Sequence, residues 1–242
     1  MLSIGILGGM GPLATVRLFE EIVLNTSARC DQEHLRVLVD DNPRIPDRTA
    51  YLLGQGPSPE AEIVRMAQGL LDRGADLLVM ACNTAHFFAP AVVAIAGDRF
   101  IDMVEETAKS VRRTHPDRKE FVLMATLGTY VGKVYEDVFA RYGLRVLQPD
   151  DREKQVVMER IHAVKAGDFA PPDDYRRILA DYQTKGKDAF LLGCTELSVL
   201  NHRFDLPGLQ VDPLRILARE AIRRAGGTTV DPEKGERPCA NS

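Results

Sequence analysis

Two of the four cysteines in this 242-residue chain stand in segments that match each other. Gly74-Ala-Asp-Leu-Leu-Val-Met-Ala-Cys82 resembles Gly186-Lys-Asp-Ala-Phe-Leu-Leu-Gly-Cys194: a glycine, an aspartate, an apolar run, a small residue and then the thiol. A thiol holds its proton in one state and is a base in the other, with an ordinary pKa of about 8.5 that its surroundings can move. Two such groups can take a hydrogen from one face of a carbon and return a proton to the opposite face. One base on one face tends instead to restore the starting configuration. Buried free cysteine also occurs as a plain small hydrophobe, a reading that suits either residue alone better than it suits the matched pair.

Polar neighbours extend both motifs. Asn83 and Thr84 follow Cys82, and Thr195 and Glu196 follow Cys194, offering hydrogen bonds to a thiol or to a bound molecule. His86 lies four residues after Cys82 and could pair with it on a metal, but no further ligands stand at suitable spacing, so a polar wall residue is preferred and no metal is expected. The cysteines form no C-x-x-C pair and no zinc-ligand array, which fits reduced thiols in a cytoplasmic protein.

The elements that must position these residues read as βαβ units around parallel sheets. Strands are expected over 3–8, 35–39 and 76–81, and helices over 13–28 and 59–73. In the first helix Val16, Leu18, Phe19, Ile22 and Val23 make an apolar stripe. The segment 40–49 is a loop, broken by two prolines. A second copy of the scheme starts at residues 121–125, where FVLMATLG parallels IGILGGMG at 4–11. The expected architecture is therefore α/β, with two similar pseudo-symmetric domains: 1–103 plus 205–226 carrying Cys82, and 104–204 carrying Cys194. Asp212 and Pro213 open a last helix that packs back on the first domain. Residues 227–242 lack apolar periodicity and are expected to form a flexible tail, which makes Cys239 a poor catalytic candidate. Each paired cysteine should end a strand and open a helix, where free N–H groups and the helix dipole favour a thiolate. Ligands of parallel sheets bind beyond the carboxyl ends of the strands, so both thiols can face one interdomain cleft.

Composition narrows the partners. A content of 45% hydrophobic and 27% charged residues suits a packed globular chain, and a net charge of -4 argues against nucleic acid. The uncharged run over 77–97 is interrupted by Asn83, Thr84, His86 and Pro90 and reads as a buried strand followed by a helix, so no membrane span is expected.

The segments GILGGMGPLAT, NPRIPDRT, ACNTAHF, the Gly128-to-Tyr135 stretch and LLGCTEL, in this order, resemble the aspartate/glutamate racemase family, in particular its aspartate racemase branch. The resemblance covers residues 2 to about 225. It implies two domains around an interdomain active site, a homodimer, no pyridoxal phosphate or other cofactor, and a small amino-acid substrate. The family's catalytic cysteines fall on Cys82 and Cys194; by analogy Cys82 serves the D-enantiomer and Cys194 the L-enantiomer. Arg48 and Lys165 fall where acidic-substrate branches bind carboxylate; both would otherwise read as solvated surface cations. Met10, Ala85, Thr126, Thr129 and Tyr135 join Asn83, Thr84, Thr195 and Glu196 as expected substrate-binding residues.

Other readings stay open on sequence alone. Gly9-Met-Gly11-Pro12-Leu13-Ala14 satisfies a dinucleotide-binding pattern after a strand, although Pro12 removes an N–H there and hydride transfer has no use for paired thiols. A cysteine-dependent isomerase or lyase of unsaturated diacids, a broad-specificity amino-acid racemase, and a two-lobed amino-acid binding module are the remaining alternatives.

Overall fold

The computed structural model describes residues 1–230. Strands β1 (Ile4–Gly8), β2 (Val37–Asp41) and β3 (Leu77–Met80) form one parallel sheet in the order β2-β1-β3. A second parallel sheet contains β4 (Glu120–Ala125), β5 (Arg145–Leu147), β6 (Ala189–Gly193) and β7 (Leu209–Val211) in the order β5-β4-β6-β7. The helices are α1 (Pro12–Asn25), α2 (Arg48–Leu52), α3 (Glu60–Asp72), α4 (Ala89–Ala96), α5 (Met103–Thr114), α6 (Leu127–Val131), α7 (Glu136–Arg141), α8 (Asp151–Lys165), α9 (Asp173–Thr184), α10 (Thr195–Arg203) and α11 (Pro213–Arg224).

The expected repeat is present in the topology. In each half the first strand is central, the second flanks it on one side and the cysteine-bearing strand on the other. A fourth strand completes the second sheet, and its counterpart in the first sheet is reduced to a single parallel bridge between Leu78 and Phe100. After each of these an aspartate caps a helix. Asp102 accepts from the N–H groups of Val104 and Glu105, and Asp212 accepts from those of Leu214 and Arg215.

Those two helices exchange sheets. Val104, Ala108 and Val111 of α5 pack with Phe121, Leu123 and Leu191 of the second sheet, whereas Leu214, Leu217, Ala221 and Ile222 of α11 pack with Ile4 and Ile6 of the first. The domain boundary expected at 205 is thereby corrected: β7 pairs with β6 and belongs to the second sheet, and only α11 returns to the first. The expected tail also starts too early. Thr229 bridges Thr26, and the Ser27 N–H donates to the Thr228 carbonyl at 2.8 Å, so residues 227–230 lie against the end of α1. The rest of that segment, including Cys239, lies outside the described residues.

The stripe expected on α1 is corrected too. Leu18 and Ile22 are buried, but Val16, Phe19 and Val23 are exposed, and the buried face continues instead through Arg17, Glu21 and Asn25. Apolar residues line both sides of this helix, so periodicity alone could not choose the side. The run over 77–97 forms a strand, a short 3-10 turn (Thr84–Phe88) and α4, and no helix among the described residues is long and apolar enough to cross a membrane.

Candidate active site

Parallel strands joined by helical crossovers bring their carboxyl ends to one edge, and both halves place a cysteine there. Cys82 follows β3 and Cys194 follows β6; both are buried, each 6% exposed, and both line a cleft between the sheets. Their local settings differ. Cys194 is the N-cap residue of the nine-residue α10, whereas Cys82 leads into the 3-10 turn rather than straight into an α-helix. The helix start expected after Cys82 is therefore displaced to Ala89.

Around the thiols the cleft is lined by Met10, Arg48, Asn83, Thr84, Thr126, Lys165, Thr195 and Glu196. It leaves about 10 Å3 of free space, enough for roughly one water and too little for an amino acid. The Met10 turn follows β1, and there Gly9 is required. Its φ is +85°, and a Cβ on it would stand 2.2 Å from the Asn42 backbone.

Arg48 opens α2, whose N-cap Asp47 accepts from the Ala50 N–H at 2.7 Å. Its Nη1 donates to the carbonyls of Ile45 and Pro46, and its Nη2 donates to that of Met10 at 3.0 Å. The Nε is buried and has no partner. A second orphaned donor, Asn83 Nδ2, is buried in the same cleft. Buried polar groups are nearly always paired, so two unpaired donors beside two thiols mark a place where an anionic or carbonyl oxygen belongs.

Asn83 is oriented by a residue that does not line the cleft. The Tyr135 hydroxyl donates to Asn83 Oδ1, which turns the amide nitrogen away from Tyr135. Tyr135 is fully buried, and burial pushes its phenol well above the usual range, so it remains a donor. Tyr135→Phe is expected to lower kcat/KM by about tenfold while far-ultraviolet circular dichroism stays unchanged, because a buried acceptor loses its partner and the amide its orientation. Steady-state kinetics on the folded variant check this.

Glu196 sits against the other thiol. The Cys194 S–H donates to Glu196 Oε2 at 2.9 Å, and both residues are buried. Burial first, and then the Glu196 charge, push the Cys194 thiol well above its usual range, with Lys165 opposing. The thiolate preference expected from the helix start is thus reversed, because desolvation and a neighbouring carboxylate outweigh a helix dipole. Lys165, the last residue of α8, is exposed at the mouth of the cleft. Partial desolvation beside the cleft lowers its pKa, but Glu196, Cys194 and Cys82 together raise it above the ordinary lysine value.

The halves meet through hydroxyls. Thr84 Oγ1 lies 2.9 Å from both Thr126 Oγ1 and Thr129 Oγ1, and the latter two are 3.1 Å apart. Nearby, a Cβ on Gly128 would stand 2.8 Å from the Thr49 Cα, so glycine permits the α2 and α6 backbones to touch. Thr129 and Ala85 do not line the cleft: Thr129 completes the hydroxyl triangle, and Ala85 packs in the core with Met10 and Cys82. Asp47 and Thr49 do line it and were missed, although they flank Arg48 in the proline-bounded PDRT segment.

His86 has both ring nitrogens engaged. Nδ1 is 2.7 Å from the Cys82 carbonyl, and Nε2 accepts from the Met103 N–H at 3.2 Å. It is a neutral pin between the Cys82 turn and α5, with no nitrogen left for a metal.

A model of the Asp/Glu/hydantoin racemase family matches residues 7–221. The structure of Picrophilus torridus aspartate racemase superposes with a TM-score of 0.83 at 30% identity, covering 95% of this chain and 96% of that one. The broad specificity amino-acid racemase RacX of Bacillus subtilis is 27% identical over 212 residues, 82% of this chain and 88% of RacX. Glutamate racemase from Francisella tularensis, in complex with D-glutamate, shares the fold at a TM-score of 0.66 and 16% identity, over 92% of this chain and 80% of that one. With the family model spanning most of the sequence and a solved relative aligned over nearly all of it, the chain belongs to the Asp/Glu/hydantoin racemase family and is an amino-acid racemase.

Proposed function

We propose that the protein racemises aspartate without a cofactor, with glutamate the next substrate, using Cys82 and Cys194 as a two-base pair. The observation that carries this reading is that both thiols line one buried cleft together with Arg48, Lys165 and Glu196. Aspartate brings two carboxylates and one ammonium, and the cleft offers two cations and one buried carboxylate, the other lining carboxylate, Asp47, being exposed and engaged as the cap of α2. Arg48 presents its free Nε edge to one carboxylate, Lys165 draws the other at the mouth, and Glu196 stands where an ammonium would be neutralised.

In one direction the Cys82 thiolate takes the α-hydrogen as a proton, the electron pair is held as an enediolate on the carboxylate beside the Arg48 and Asn83 donors, and the Cys194 thiol returns a proton to the far face. The thiol and thiolate states are then exchanged, and the reverse direction uses them in that order. Substrate entry requires the halves to part, since the closed cleft holds about one water. The Thr84–Thr126–Thr129 triangle and the α2–α6 contact at Gly128 are what would part. As in the resemblance, a homodimer in the cytoplasm is the working assembly.

The direct experiment incubates purified protein, with no added cofactor, with each L-amino acid and scores the D-product by chiral chromatography. D-aspartate in excess over every other product is the expected result, unaffected by chelator or hydroxylamine and abolished by thiol alkylation. Similar rates for neutral amino acids would replace the aspartate reading with the broad specificity named for RacX.

The state of Cys194 adds a pH expectation. A thiol held above its usual range is a thiolate only at alkaline pH, so kcat should rise from neutral to alkaline pH wherever Cys194 must act as base. Glu196→Gln removes the charge that opposes the thiolate and should move this rising limb to lower pH. A limb that does not move would show that Glu196 has no part in setting it.

A further inference from the structure

A second and larger cavity, of about 560 Å3, lies between the two halves and is lined by α1, α5, β7, α10 and α11. It shares no lining residue with the thiol cleft. Its volume is within the range of small-molecule sites.

The charges facing it are unequal in their freedom. Glu21 is taken up by Arg17 and by Asn25 Nδ2 at 2.6 Å. Asp212 caps α11 and accepts from Ser198 Oγ at 2.8 Å. Both acids are thus spent inside the protein. The cationic side is only partly spent. Arg215 has a half-exposed side chain, and its one ion-pair contact among the described residues is Glu21 at 4.0 Å. Arg17 is nine-tenths buried and paired with both Glu20 and Glu21, and its unpartnered Nε is itself out of reach of the cavity. His202 Nδ1 lies 3.0 Å from Arg17 Nη2, and since a guanidinium only donates, that nitrogen accepts and Nε2 carries the hydrogen. Two donors therefore remain for an oxyanion, Arg215 and His202 Nε2–H, the latter held in place by the buried Arg17.

The helices that carry these groups also carry the thiol cleft. Glu196 and His202 are six residues apart on α10, about 9 Å of helix rise. Arg17 lies on α1, which begins just after the Met10 turn. The lining residues of α5 sit on the helix whose first N–H is held by His86. A ligand that shifts α1 or α10 at the rear must shift Glu196 or Met10 at the front, because packed helices move as rigid units.

We propose that this rear cavity is an effector site for a small organic anion, whose phosphate or carboxylate group is held by Arg215 and His202 and whose occupancy alters racemisation. Calorimetric titration of the full chain, with ribose 5-phosphate in one arm and succinate in another, distinguishes the two sources of charge. The succinate arm is repeated on Arg48→Ala to remove any binding in the thiol cleft. Saturable binding in either arm is expected to weaken tenfold or more in Arg215→Ala and in His202→Ala and to persist in Arg48→Ala. Saturating ligand should also change KM or kcat at least twofold in the wild type and not in Arg215→Ala. The binding arms do not depend on which amino acid is racemised, so their failure is separable from failure of the aspartate reading. The proposal is overturned by no binding in either arm up to about 10 mM, by binding that survives both cavity substitutions, or by binding that leaves the kinetics unchanged.

Discussion

Cys194→Ala is expected to lower racemisation on the order of 10³-fold, the usual worth of a positioned acid or base, and Cys82→Ala to do the same. The fold should persist: Cys194 makes no side-chain capping bond to α10, and alanine removes only a sulfur from a packed position. Two enantiomers have equal free energies in achiral solvent, so kcat/KM must fall by one common factor in both directions, whichever cysteine is lost. What separates the two variants is exchange. A lone thiol still reaches one face of the α-carbon and can trade its hydrogen with solvent without inverting it. In deuterated water Cys194→Ala should therefore label one enantiomer of aspartate, D by the family analogy, and Cys82→Ala the other. The wild type should place deuterium mainly in the product enantiomer during early turnover. Removing the second cysteine should cost little beyond the first, because the pair acts as a unit. Racemisation near the wild-type rate in either single variant would end the two-base reading.

The thiol pair was legible because the two halves carry the same residue type at equivalent strand ends, and a repeated strand shows in sequence as a repeated apolar run. β1, β3, β4 and β6 are central or doubly covered and spell continuous hydrophobic stretches. β5 is three residues long at a sheet edge, with Arg145 exposed, and leaves no such signal. The exchange of α5 and α11 between sheets was half visible. That α11 packs back on the first half followed from chain order, but where the crossing occurs depends on the β6–β7 pairing, a long-range contact that no local pattern encodes.

Within the site, sequence separated less well the residues that line the cleft from those that hold them. Tyr135 and Thr129 sit in the motifs but act one layer behind the cleft, through Asn83 and Thr84. The state of Cys194 was read in the wrong direction for a related reason. A helix start is a sequence-local feature, whereas desolvation by the opposing half is not, and desolvation is the larger influence.

Arg48→Ala is the substitution expected to discriminate most sharply between acidic substrates and all others. The side chain is buried, and its Nη groups tie the PDRT segment to Met10 across the mouth of the first half. The buried Nε has no partner within the protein and is the donor proposed for the substrate carboxylate. Loss of one buried charge-assisted contact costs about 2–5 kcal/mol, or roughly 30- to 4000-fold in kcat/KM for aspartate. Lys165→Met should cost less, because that residue is exposed at the mouth and solvent screens its charge. Part of the Arg48 effect could come from the three carbonyls it releases rather than from the substrate, so Arg48→Lys is the informative control. A lysine can satisfy one of those carbonyls but cannot present a planar edge to a carboxylate. If the carbonyls are what matter, Arg48→Lys should recover stability and activity together. If the substrate carboxylate is what matters, melting temperature should recover while kcat/KM for aspartate stays low. Aspartate turnover left intact in both Arg48→Ala and Lys165→Ala would remove the basis for assigning an acidic substrate.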